Sequence, residues 1–419
     1  MLKRSLHIVW LLTVATLFVI AVALTAARLW VPSLADYRQD VERAAGEALG
    51  REVTVGRMQA TWRGLHPVLK LRNVVLRQPE SAEQGFAVDE IWLRLDVGHY
   101  LRHREVSFAG IAVIGAELEL VRDESGSLYV EQFRDLGPGG EGSGLDTLAG
   151  MGRLALHDSV ITFRDEQTGH APRRFSKVLL SLANNDDEHR LTGHAWLPGD
   201  IGYRLELDAL FTGSEPDMGT WRGRAYIKGQ QLSLPSLLQY WQPEAVVRGI
   251  VDLRLWVDVE AGHVAAVSSE LDMHDLYAKR AAGDRQHVFS ADTLGLRLGW
   301  QQADGDWKAV LQVLSAQQAD RQWVPFNVSI AGTTVDESRH LRISAAQLVL
   351  DDLWQLLPAV PGLDTTRFGE LAALKPTGIL DELDVLLLRN VDAMQVDGIF
   401  ARFSELGVAE TATTPYLAG

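Results

Sequence analysis

The chain has 419 residues, is 47% hydrophobic and 23% charged, and carries a formal net charge of -15. That balance is globular and excludes both a disordered chain and a multi-span membrane protein, and the acidic excess argues against nucleic acid, whose phosphates call for Lys and Arg. Cysteine is absent, so disulfides, thiolate metal sites, Cys nucleophiles and a lipidated-cysteine anchor are excluded.

Lys3 and Arg4 precede a run from Ile8 to Ala27 without a charge, closed by Arg28 and Trp30. At 1.5 Å per residue a helix of that length matches the roughly 30 Å hydrocarbon core of a bilayer. A cleaved signal peptide is the rival reading, because Thr25-Ala26-Ala27 looks like a cleavage site. The apolar run is longer than an ordinary signal core, so residues 1–31 are expected to be a retained transmembrane anchor. Arg28, Arg38 and Arg43 follow the span and weaken the charge asymmetry. Long domains cross largely regardless of charge, so the body is expected outside the cytoplasm.

Residues 32–50 read as an amphipathic juxtamembrane helix. Ser33 and Asp36 offer a cap, Leu34, Val41, Ala45, Ala48 and Leu49 form a stripe, and Gly50 stops it. Period-two alternation then takes over, with a first β unit over 51–136, a Gly-rich loop over 137–150 and further β units over 151–419. Apolar positions recur at Val53, Val55; Leu69, Leu71; Ile91, Leu93, Leu95; Leu118, Leu120; Leu205, Leu207; Val251, Leu253, Leu255, Val257; and Leu294, Leu296, Leu298. Leu383, Val385 and Leu387 alternate likewise. Turn-like breaks lie at Glu124–Ser127, Asn184–Asp187 and Ala303–Asp306, so the ladders are expected to be antiparallel.

Ile111–Gly126 echoes Leu154–Gly169 as strand, break, strand, Arg-Asp-Glu and Gly turn, which predicts a sheet extended by similar hairpins. Only Leu234–Trp241 and Asp351–Leu357 offer further helices, too few to cover the apolar sheet. That face must close on a second sheet or stay open as an apolar groove. A bulge such as Asp158-Ser159 inverts the phase of a strand, so alternation leaves open which positions share a face.

Motifs for catalysis are missing. Gly137, Gly139 and Gly142 match G-x-G-x-x-G, but Pro138 interrupts it and the segment has linker composition. His99 and His103 have helical ligand spacing, yet Arg102 and Arg104 flank them and favour a cationic turn. Asn184–Glu188 reads as a solvated turn before a calcium site. Trp62, Trp92, Trp196, Trp256, Trp300 and Trp323 lie in or near strands, either in packing or lining an apolar channel. No enzyme activity, cofactor or metal is expected.

The segment Arg51–Val74 holds Trp62, Gly64, Leu65 and Pro67 in a Trp-x-Gly-Leu-x-Pro turn between two strands, just after the amphipathic helix. This order of elements resembles the AsmA-like family, most closely its YhdP branch, and Leu371–Leu386 looks like the family's link between β units. The resemblance implies a mainly β fold, an elongated, twisted antiparallel β-groove behind a transmembrane helix, in a protein of the bacterial inner membrane with its body in the periplasm. It implies phospholipid carriage between inner and outer membrane, hence a part in outer-membrane biogenesis. Phospholipid and the inner membrane are then the partners, with outer-membrane or envelope proteins beside them. The alternating apolar positions from Val53 to Leu298 become candidates for lining the groove. A non-enzymatic assembly factor acting through protein contacts is the alternative. Members of that branch are longer, so the chain reads as an N-terminal portion of a longer protein or a truncated member.

Overall fold

The computed structural model describes Trp10, Thr13, Val14, Phe18, Val22, Thr25 and residues 37–63, 66–78, 81–104, 107–133, 152–185, 187–213, 218–238, 246–282, 285–335, 338–352, 376–389, 394–408 and 417–418. Most of the expected anchor, 1–31, therefore lies outside the described residues. Of its members, Trp10, Val14, Phe18 and Val22 are helical and exposed. Among the described residues no helix is long and apolar enough to cross a membrane. Two compact units divide the chain, Met1–Asp186 and Asp187–Gly419, and the chain is mainly β with few short helices.

The first unit opens with α1 (Arg38–Leu49), closed by Gly50 in the left-handed region at φ 63°. Ser33 and Asp36, the expected cap, lie outside the described residues. The helix is clipped to β1 (Glu52–Arg63) through two side chains. Val55 N–H donates to Glu42 Oε1 at 2.8 Å, and Arg38 Nη1 donates to Val55 O at 2.7 Å. Val41 and Ala45 of the stripe pack on a core of Val53, Val55, Met58, Leu69, Leu71, Val74 and Leu76. β2 (His66–Gln78) and β3 (Ser81–Leu95) extend the sheet antiparallel. Trp62 faces Pro67 across the expected family turn; Gly64 and Leu65 are outside the described residues. Both strands break phase together, because Val55 pairs with Val74 and Arg57 with Arg72 while Gly56 and Asn73 are skipped.

After α2 (Val97–His103) come β4 (Phe108–Ile114), β5 (Glu117–Arg122), β6 (Leu128–Val130), β7 (Arg153–Asp165) and β8 (His170–Asn185). Here the ladder departs from the antiparallel expectation. β7 runs parallel to both β4 and β5, from Ile111↔Leu154 to Arg122↔Asp165, so the sheet is mixed. The echoed segments are therefore not successive hairpins but side-by-side partners, both pairs offset by 43 (154 − 111 and 165 − 122). A parallel return needs a crossover connection in place of a tight turn, and residues 134–151 supply the chain length for it. The two breaks also coincide. Ala116 N–H donates to the buried Ser159 Oγ at 3.1 Å, and Ser159 Oγ donates to His157 O at 2.8 Å. Gly115 and Asp158 both take positive φ, 69° and 43°.

The second unit is an antiparallel meander in chain order: β9 (Glu188–Trp196), β10 (Arg204–Thr212), β11 (Arg222–Ser233), then α3 (Leu234–Leu238), β12 (Val246–Glu260), β13 (His263–Ala282), β14 (Arg285–Ala303) and β15 (Asp306–Gln318). β16 (Arg321–Gln322), β17 (Phe326–Val335), β18 (Ser338–Val349), β19 (Pro376–Arg389), β20 (Met394–Val408) and β21 (Leu417–Ala418) follow. Ala261-Gly262 and Asp304-Gly305 have both φ values positive, the two-residue hairpin geometry that matches strand twist. Of the two helices expected from sequence, Leu234–Leu238 forms, and the second is described only to Asp352.

Candidate functional site

In an antiparallel ladder, directly opposed residues project from the same face. Following the register through the second unit therefore assigns every side chain to a side. One row runs Leu191–Ala209–Ala225–Val257–Val267–Trp300–Ala309–Ile330–Ile343–Val385–Ile399, from β9 to β20, with no polar member. The next runs Gly193–Leu207–Ile227–Leu255–Ser269–Leu298–Leu311–Val328–Ala345–Leu383–Ala401, with Ser269 as its one hydroxyl. A third runs Leu205–Gly229–Leu253–Leu271–Leu296–Val313–Phe326. Leu232, beyond a bulge, leans over Gly229 and fills the gap left by the missing side chain.

The other face is charged and internally paired. Arg190 meets Asp208, Arg224 meets Asp258, Arg254 meets Glu270 and Asp272, Arg297 meets Glu270, and Arg342 meets Asp384. Hydrogen bonds from Arg224 hold the Asp258 carboxyl below its ordinary pKa, and Arg297, then Arg254, do the same for Glu270. Trp92, Trp196 and Trp256 belong to the polar faces of their units, and Trp256 lies 5.3 Å from Tyr226. Trp300 stands in the apolar row, and Trp323 is buried in a core.

What covers the apolar face is local. α3 caps one stretch, where Leu232, Leu234 and Val251 are buried against Leu237, Leu253, Leu271 and Met273. A second cluster joins Phe289, Leu294, Val313, Trp323, Phe326, Leu348 and Leu380. Beyond these, Val257, Val267, Trp300, Ile330, Ile343 and Val385 are half-buried. The second unit's strands make their main contacts with ladder neighbours, and among that unit's described residues no second sheet stacks on this face.

The nominated residues thus divide by environment. Leu205, Leu207, Leu253, Leu255, Val257, Leu296 and Leu298 share the one face, half-buried or exposed, with Leu298 40% exposed. Val251 and Leu294 belong to the same side but are sealed in the local cores. In the first unit Val53, Val55, Leu69 and Leu71 are buried in the core that carries α1, Ile91 and Leu93 are half-buried beside them, and Leu95 faces Phe108. Leu118 and Leu120 are half-buried opposite Ile161 and Phe163. Sequence reasoning did not nominate Leu311, Val328, Ile330, Ile343 or Ile399, and it noted Leu383 and Val385 as alternating without assigning them to the groove. Their signal was present, since they too alternate, but it was not connected across strands.

The other motifs resolve simply. The His99 and His103 rings meet at a tilt, centroids 4.6 Å apart, on α2, whose start Asp96 caps by accepting from His99 N–H at 2.9 Å. No group of metal-ligating side chains occurs among the described residues. Gly137, Gly139 and Gly142 lie outside them.

No curated protein and no solved structure matches the chain. The family described as YhdP protein matches it over residues 1–419, end to end. The chain belongs to the YhdP family.

Proposed function

We propose that the chain is a membrane-anchored, non-enzymatic carrier of phospholipid, whose acyl tails lie along the apolar sheet face while the charged face stays in water. The supporting observation is the continuity of the apolar rows from β9 to β20, over much of which no layer lies among the described residues. Moving an acyl chain of about fifteen methylenes through water opposes transfer by more than ~10 kcal/mol, and an unbroken apolar surface removes most of that barrier without a catalytic residue. At about 4.8 Å per strand the row covers roughly 50 Å, several times the ~15 Å hydrocarbon depth of one leaflet. With the stretch Ile8–Ala27 spanning the inner membrane and the body in the periplasm, the face would receive lipid destined for the outer membrane.

The test is lipid extraction and native mass spectrometry of the purified chain, with photo-crosslinkers at Leu253 and Leu255. Phospholipid adducts at both are expected, and none at Arg254 between them. Absence of copurifying lipid together with protein adducts at Leu253 would sink the carrier reading. It would favour an assembly factor.

A further inference from the structure

The polar face of β1–β3 differs from the row of paired arginines on the second unit's charged face. Register places Arg57, Arg72 and Glu90 in one row, Gln59, Lys70 and Trp92 in the next, and Thr61, Val68 and Arg94 in a third. Arg63 lies at the end of β1, opposite His66. Arg153 joins the third row, because a Cβ added at Gly110, the partner of Arg94, would stand 3.2 Å from Arg153 Cβ. Beyond the phase break at Gly56 and Asn73 the face also holds the Glu52–Arg77 ion pair, but on this side of the break six cations stand in register with a single carboxylate, Glu90, which takes Arg72 at 3.4 Å. The others have no ion-pair partner among the described residues, whereas Arg190, Arg224, Arg254, Arg297 and Arg342 of the second unit are all paired. Uncompensated like charges on adjacent strands repel one another, so the cluster is costly unless an anion shares it.

Trp92 sits at its centre. Lys70 Nζ is 4.1 Å and Arg63 Cζ 5.5 Å from the ring centroid, and the buried indole Nε1 has no hydrogen-bond partner among the described residues. Trp among Lys and Arg is the composition of a membrane interface.

We propose that this face docks on a bilayer surface carrying anionic phospholipid headgroups. Charge complementarity selects it: on a chain of net charge -15 an anionic surface attracts this patch and repels the remainder, which orients the body as well as binding it. A nucleic acid offers the same phosphates, but the chain's overall acidic excess disfavours a long polyanion. The patch also follows closely in sequence on the Ile8–Ala27 stretch. The face is distinct from the apolar lipid-bearing one, and its docking does not depend on lipid transfer.

The chain lacks cysteine, so Gln59→Cys, an exposed position in the middle row, gives a unique labelling site in the full chain. The labelled chain is mixed with phosphatidylcholine vesicles with and without phosphatidylglycerol, each carrying a headgroup quencher. Quenching is expected with phosphatidylglycerol and not without it. It should disappear at 1 M salt, where screening acts over ~3 Å. Arg57→Gln/Arg63→Gln/Lys70→Gln should weaken it roughly a hundredfold. Equal quenching in both vesicle types overturns the proposal, and that comparison needs no substitution in the patch. So does a label that responds to a single-stranded oligonucleotide but not to phosphatidylglycerol. Flotation reads vesicle insertion separately, so a failed anchor and a failed patch give different results.

Discussion

Arg122, the last residue of β5, donates from Nε and Nη2 to the two carboxylate oxygens of Asp165, the last residue of β7, and so bolts together the ends of the parallel pair. Asp165 is 5% exposed, and it also accepts from the Thr168 hydroxyl at 2.6 Å in the turn that follows.

The Arg122 hydrogen bonds come first among the causes that lower the Asp165 carboxyl from 3.8 to about 2. A depressed folded-state value means that the ionised carboxylate stabilises the fold fully above the unfolded value of 3.8. The contribution then drains away as pH falls toward about 2. Urea titrations of the parent and Asp165→Asn should differ most at neutral pH and converge by the lower limit. Arg122→Ala, which strands a buried carboxylate, should cost about 3 kcal/mol at pH 7; an unchanged midpoint would refute the bolt.

Gly115 joins β4 to β5 with φ 69°, and a Cβ there would run into the Asp89 carboxylate. Gly115→Ala is expected to destabilise by about 1–3 kcal/mol, combining left-handed strain with the clash. Gly299→Ala, where the added atom meets nothing within 4 Å, is the control and should stay within about 1 kcal/mol of the parent by thermal unfolding.

Trp323 is 3% exposed and meets Phe289 edge-on at 5.7 Å between centroids. Trp323→Ala should cost about 3–5 kcal/mol by cavity formation. Its indole N–H has no hydrogen-bond partner among the described residues, so Trp323→Phe should cost much less, because no bond is lost with the ring's polar edge. Chemical denaturation of the two variants separates packing from polarity.

Leu255 and Arg254 are adjacent on β12 and face opposite sides. Leu255→Glu is expected to abolish copurifying lipid while costing only about 1–2 kcal/mol of stability. Arg254→Ala should retain the lipid and lose about 1 kcal/mol at most, since its ion pairs are solvent-exposed. Equal lipid content in the two variants would remove the apolar face from the mechanism.

Much of the fold was legible because alternation is a local property. Val251 to Val257 reads as a strand with one apolar side whatever its neighbours are, and Gly50, Gly262 and Gly305 mark breaks that chemistry imposes on the backbone. The shared side of Leu205, Leu253 and Leu296 was not legible, because bulges at Gly229/Leu232 and Gly295/Leu296 intervene and each can invert a phase. The echo between Ile111–Gly126 and Leu154–Gly169 was visible, but its meaning was not: similarity is equally compatible with successive hairpins and with parallel partners.

The order of residues by itself determined an acidic, cysteine-free, β-rich chain with an apolar N-terminal run and amphipathic strands, since composition and period need no partner to be read. Only the tertiary structure decided which apolar residues α1 and α3 bury and which stay half-open, that β7 returns parallel to β4 and β5, and that the cations of β1–β3 meet on one face. Those outcomes depend on register between strands distant in the chain, and hydrogen-bond pairing sets register globally, where a one-residue slip exchanges the two faces of a sheet.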